Sequence, residues 1–278
     1  MAHNVLNAPA PGKSLRLGRI FARETGRAVI VAIDHGLGGA PAGLESLVPD
    51  VQAMAAGEPD ALILTAGALA RLAPVLAGRP GPGILVTVDY SGGATVPGGT
   101  GRGEEHRLLV EIEDALRLGA DGLKALLIFG RESLQVHAEN VAMVARLARA
   151  ADAWGVPLLV EPVVWGRAAT EEQRRDAQVV RHICRIAVEL GADIVKAPFP
   201  ADEAAFAAIA AEIPVPIVIL GGPKTAQPDD AVATARRAVQ AGAAGVAFGR
   251  NVFQHQDPAA MVRALRAAVH GPNEEGPR

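Results

Sequence analysis

Only four of the 27 basic residues in this 278-residue chain are lysine: Lys13, Lys124, Lys196 and Lys224. A chain that uses arginine for nearly all of its solvated positive charge marks its few lysines for work that arginine cannot do. An amine can lose its proton and attack a carbonyl, whereas a guanidinium stays protonated. Two of the four occupy the same place in an internal echo, Leu118-Gly-Ala-Asp-Gly-Leu-Lys124 and Leu190-Gly-Ala-Asp-Ile-Val-Lys196. Lys196 ends a short apolar run, and a desolvated lysine beside a second cation is a candidate nucleophile toward a carbonyl. Lys124 is placed to be that second cation. Glu161 falls between the two in strand order, where a carboxylate could carry protons to and from a carbinolamine and a substrate hydroxyl. Each residue also has a plainer reading: both lysines as core ion pairs with Glu161 or Asp34, and Glu161 as a structural counter-ion.

Two further groups bear on the substrate, one on its hydroxyls and the other on a phosphate. Asp34-His35-Gly36 follows the first apolar run, and Asp34 there could orient a substrate hydroxyl, take its proton, or merely cap a helix. Gly221-Gly222-Pro223-Lys224 and Gly249-Arg250-Asn251 follow the last two runs. Glycines let backbone N–H groups approach an anion, and Lys224 or Arg250 adds charge. His35 and these glycines complete the candidate binding set.

Eight short, continuous apolar runs must position these residues: 28–33, 61–65, 84–88, 122–127, 157–161, 193–196, 216–220 and 245–248. Continuous runs are the mark of parallel strands buried on both faces. Amphipathic stretches at 104–118, 132–154 and 229–241 lie between them. Eight strands with intervening helices predict a (β/α)₈ barrel of TIM type. A doubly wound sheet would carry a glycine fingerprint after the first strand, where Asp34-His35-Gly36 stands instead. The expected organisation is one domain over 1–278, with an N-terminal extension at 1–27 and a frayed tail at 271–278. In such a barrel the C-terminal strand ends form the active face, and Asp34, Lys124, Glu161, Lys196 and both glycine loops all fall there. The glycine-rich Ser91–Gly103 segment is either a surface loop or a lid over that face.

Composition removes other classes. A formal charge of −3, from 27 basic and 30 acidic residues, argues against nucleic acid or an acidic membrane surface as partner. One cysteine, Cys184, excludes a disulfide framework and a cysteine zinc cluster. No apolar run approaches 18 residues and no signal-peptide pattern opens the chain, so cytoplasmic residence is expected. The seven histidines show no metal-ligand spacing, and a metal-independent site is expected.

The stretch from Arg16 to Arg27, the Ala32-Ile-Asp34-His35-Gly36 strand end, the Gly-Ala-Asp-Ile-Val-Lys196 strand, Val218-Ile-Leu-Gly-Gly-Pro-Lys224 and Gly249-Arg250-Asn251-Val-Phe-Gln254 together resemble the archaeal-type class I fructose-bisphosphate aldolases. Deoxyribose-phosphate aldolases, aminodideoxyheptulosonate synthases and autoinducer-2 phosphate thiolases share that superfamily. The resemblance covers about residues 13–268. It implies a Schiff base on Lys196 with no separate cofactor, phosphate held by the Gly221-Gly222 and Gly249-Arg250 loops, Asp34 on substrate hydroxyls, and assembly as a pentamer or decamer. The family's acid–base tyrosine would fall near Val163. Glu161-Pro162, with Lys124, is instead similar to tagatose-bisphosphate and sulfofructose-phosphate aldolases. The expected activity is a class I aldolase with dihydroxyacetone phosphate as donor. Three alternatives stand beside it: a phosphorylated-dione thiolase using coenzyme A, a biosynthetic aldolase joining the same donor to an amino-aldehyde (aminohydroxybenzoate or heptulosonate type), and a noncovalent sugar-phosphate isomerase.

Overall fold

The computed structural model describes residues 11–78, 81–92 and 104–271. Most of the glycine-rich segment expected to be a loop or lid, and the tail beyond Gly271, lie outside these. Eight strands close a parallel barrel: β1 (Ala28–Ala32), β2 (Ala61–Thr65), β3 (Gly83–Thr87), β6 (Gly122–Phe129), β7 (Leu158–Val164), β8 (Ile194–Ala197), β9 (Ile217–Leu220) and β10 (Gly245–Phe248). β1 pairs with both β2 and β10, which completes the ring. The short strands β4 (Asp89–Tyr90) and β5 (Arg107–Leu108) form a separate antiparallel ribbon. The TIM-barrel expectation is therefore met.

Alternation along the strands sorts the core into two layers. Val29, Val31, Leu123, Ala125, Leu158, Val160 and Val195 face outward and pack under the helices. Ile30, Ile63, Leu85, Leu159, Ile194 and Val218 face inward and fill the barrel. The same period turns Lys124, Glu161 and Lys196 inward, one step above that apolar floor. The N-terminal helix α1 (Pro11–Ile20) sends Ile20, fully buried, into the inner cluster, with Leu17 and Phe21 against it. The extension at 1–27 thus contains a plug for the barrel.

The internal echo has a physical basis. Gly119, Gly191 and Gly242 adopt φ of 92°, 100° and 97°, the left-handed conformation that ends a helix. The aspartates that follow the first two anchor strand starts: Asp121 accepts from the Ile84 N–H at 3.0 Å and Asp193 from the Leu158 N–H at 2.9 Å. α1 then ties both down, through Arg19 to Asp121 and Lys13 to Asp193, each at 2.8 Å. Lys13 therefore belongs to the closed end of the barrel.

Two boundaries differ from expectation. β7 runs on to Val164 rather than ending at Glu161, so Pro162 lies within the strand. Its pairing with β8 stops at Val160, which leaves Pro162 with a strand partner only on the β6 side, and proline is tolerated there. The 104–118 stretch is not one helix. α4 covers Ile112–Arg117 alone, and the residues before it are held in the β5 ribbon. Leu109 N–H donates to the Val88 carbonyl and His106 pairs with Asp89, so tertiary bonds outweigh the helical period.

Candidate active site

Four charged side chains meet at the inner, C-terminal end of the barrel. Lys196 Nζ and Lys124 Nζ each lie 3.1 Å from the same Glu161 oxygen, Oε2. Lys124 also donates to Asp34 Oδ2 at 3.1 Å, and Thr87 Oγ1 donates to that oxygen at 2.8 Å. Lys124, Glu161 and Lys196 are all buried. Strand geometry explains the meeting: Leu126 is in register with Glu161 across β6 and β7, and Val160 with Val195 across β7 and β8. The inward residues one step away along each strand then share a layer.

The electrostatics separate their roles. Burial alone would push the Glu161 carboxyl up, but the ammonium groups of Lys196 and Lys124 outweigh it and hold the group below the usual glutamate range. Asp34 behaves alike, held well below the carboxylate range chiefly by Lys124 and then Lys196. Burial opposes the charge on Lys124, yet Asp34, Glu161 and Asp89 raise it far above the ordinary lysine value. Lys124 is thus a fixed ammonium and Asp34 a fixed hydrogen-bond acceptor at neutral pH. His35, 3.8 Å from Asp34 at its Nδ1, is lowered mainly by burial and stays neutral there.

These groups line a cavity of about 910 Å³ at the barrel mouth. Gly221, Gly222, Gly249 and Arg250 line its other side, as the sequence suggests. Gly222 takes φ of 64°. A Cβ on Gly249 would come within 2.5 Å of the His35 ring and 2.8 Å of the Ala32 carbonyl, so glycine is what lets β10 turn beside His35. Asn251 Nδ2 donates to the Gly221 and Pro223 carbonyls at 3.1 and 3.3 Å and joins the two loops. Lys224 is not part of this lining. It is exposed, and its Nζ donates to the Gln254 carbonyl at 2.6 Å. Two of the four lysines, not three, reach the cavity.

Residues 28–255 match the profile of the DeoC/LacD family of aldolases. The chain belongs to that family. It is 34% identical over 97% of its length to a 2-amino-4,5-dihydroxy-6-oxo-7-(phosphonooxy)heptanoate synthase of Streptomyces griseus, 94% of which is covered. Identity is also 34% to a 3-hydroxy-5-phosphonooxypentane-2,4-dione thiolase of an Enterobacter species, over 93% of this chain and 81% of the relative. Among solved structures, a Schiff-base-forming fructose-1,6-bisphosphate aldolase superposes with a TM-score of 0.76 at 25% identity, over 92% of this chain and 99% of that one. This DeoC/LacD member is accordingly an enzyme of the aldolase type, and the family resemblance drawn from its motifs holds. No helix among its described residues is long and apolar enough to cross a membrane.

Two features of this aldolase's mouth escape a walk along strand ends, Thr87 and a pair of arginines, while a third, Asp89, is met there at the end of the third run. Thr87 is uncharged, and only its inward position two residues after Leu85 marks it as the partner of Asp34. Arg174 and Arg175 line the cavity from the connection between β7 and the helix Ala177–Glu189, beyond the strand end itself. Asp89, buried in the wall, accepts from the Leu126 N–H and from His106 Nε2, each at 2.7 Å. Arg131 donates to His106 Nδ1 at 2.7 Å, and since a guanidinium only donates, the histidine hydrogen sits on Nε2 toward Asp89. That buried chain holds the β4–β5 ribbon in place. His106 is visible in the sequence only as a residue beside the glycine-rich segment.

Proposed function

We propose that this protein is a class I aldolase that forms or cleaves a carbon–carbon bond through a Schiff base on Lys196, with dihydroxyacetone phosphate as donor. The observation that carries this reading is the shared Glu161 oxygen, 3.1 Å from both lysine amines in a buried layer. Lys124 stays protonated, which leaves Lys196 as the amine for attack. In the synthetic direction the Lys196 amine adds to the donor carbonyl, and water leaves the carbinolamine to give an iminium. Loss of a proton from the adjacent carbon passes the C–H electron pair into the iminium as an enamine. The enamine carbon attacks the aldehyde, the new alkoxide takes a proton, and water releases the product from Lys196. Glu161 is placed to accept and return these protons, and the Lys124 ammonium to favour the oxyanion. Asp34, held ionised, accepts from a substrate hydroxyl beside Thr87 and His35. The backbone of Gly221, Gly222 and Gly249, with Arg250, would receive the phosphate.

The two relatives differ in what their names say they do, and this bears on the acceptor. Valine rather than tyrosine at Val163 removes a phenol from the reacting centre and leaves acid–base work to Glu161 and Lys124. A phosphorylated dione with coenzyme A is therefore the second reading, and an amino-aldehyde acceptor is a variant of the first. Metal independence, residence in the cytoplasm and assembly as a homo-oligomer are part of the same proposal, supported by the family's general habit.

Borohydride reduction with dihydroxyacetone phosphate, followed by peptide mass mapping, tests the reading. A reduced adduct on Lys196 supports it, and acceptor aldehydes and coenzyme A can then be screened for turnover. An adduct on Lys124 would move the nucleophile. No adduct with this donor, pyruvate or a phosphorylated dione would favour a noncovalent isomerase.

A further inference from the structure

The connection from β7 into helix α6 (Ala177–Glu189) presents two arginines to the cavity, and they are not equivalent. Arg174 is ion-paired with Glu171 on its own turn. Arg175 has no acidic partner among the described residues, and it extends to the loop after β9. A Cβ placed on Gly222 would come within 3.2 Å of Arg175 Nη2. The left-handed glycine therefore serves two ends: it makes the turn, and its missing side chain leaves room for the guanidinium. The backbone that carries Arg175 is fixed on both sides. Its N–H donates to the Glu172 carbonyl at 3.3 Å, and Asp176 caps α6 by accepting from the Val179 N–H at 2.9 Å.

Across the same loop, Arg250 lines the cavity, and its neighbour Asn251 bonds the loop carbonyls. Two arginines thus line the cavity, and one of them, Arg175, reaches a turn whose backbone lacks side chains. A guanidinium meets phosphate oxygens with two parallel N–H donors, where an ammonium offers a point charge. Lys224, the nearby lysine, is occupied by the Gln254 carbonyl.

We propose that Arg175 is a phosphate-binding residue of this aldolase, closing with Arg250 on the donor phosphate at the Gly221-Gly222 loop. The inference rests on the donor being a phosphorylated ketose, and it assigns part of the preference for the phosphorylated form to a residue outside the strand ends.

The test measures half-saturating concentrations for borohydride trapping with dihydroxyacetone phosphate and with unphosphorylated dihydroxyacetone, in the wild type, Arg175→Ala, Arg175→Lys and Arg174→Ala. Arg175 is exposed, so its replacement is compatible with folding, and a thermal melt verifies this. Loss of charge-assisted hydrogen bonds predicts that Arg175→Ala raises the value for the phosphorylated donor about tenfold to a hundredfold. The ratio between the two donors falls by the same factor, Arg175→Lys recovers part of it, and Arg174→Ala changes it little. An unchanged ratio in Arg175→Ala, or an equal loss toward both donors, would overturn the clamp while the Schiff-base reading stands. A wild type that traps neither donor would overturn both.

Discussion

Lys196, Lys124 and Glu161 show how three ordinary side chains divide labour by environment. One carboxylate oxygen serves two amines, and of those two amines only Lys124 also bonds a second carboxylate, Asp34. Lys124, the amine with two acidic partners, is fixed as a cation, and the proposed mechanism assigns the covalent work to Lys196. Glu161→Gln should therefore slow turnover by about 10²- to 10⁴-fold, the usual loss for a general base. It should also destabilise the fold, since two buried lysine amines lose their common acidic partner. Breaking such a pair costs about 3–5 kcal/mol, and urea midpoints of the two proteins measure it. Cys184 makes a contrasting case. It is fully buried on α6 and its thiol is pushed up to about 12, so it is a packing residue. Ellman's reagent should release no thiolate anion from the native protein at pH 8 and one equivalent per chain in urea.

At the scale of elements, the strands were legible because parallel strands buried on both faces leave long apolar runs, and nothing else in the chain imitates them. Their ends were less so. β7 passes through Glu161-Pro162 because β8 has already stopped pairing, a fact about a neighbour that the β7 sequence does not contain. The 104–118 stretch has helical spacing, yet its first half is bound into a ribbon by Val88 and Asp89. Helix α1 carries little apolar character and reads as an extension, but it closes the barrel. Ile20→Ala should cost about 2–5 kcal/mol, the range for emptying a filled core position, visible as a lowered thermal midpoint. A loss below 0.5 kcal/mol would mean that the helix is an appendage.

For the whole molecule, the closed ring converts distance in sequence into contact. Asp34 just after β1, Lys124 on β6, Glu161 on β7 and Lys196 on β8 come from four different strands, and their ionisation links the site to stability. Asp34 and Glu161 titrate below their unfolded values, so the stability they contribute is complete above pH about 4 and is lost as pH falls through the lowered folded values. The stability gap between the wild type and Asp34→Asn, from urea unfolding, should stay level from pH 7 to 5 and shrink below about 4. A gap already closing at pH 6 would contradict the assigned ionisation. By itself the sequence determined the barrel, the inward lysines and glutamate, and the glycine loops, because alternation, apolar runs and the rarity of lysine are all local properties of the chain. The tertiary structure alone decided that Glu161 bridges both amines, that Thr87 and Arg175 join the site, and that Lys224 does not. Those outcomes depend on which side chains from distant segments occupy the same few ångströms, and no local pattern encodes that.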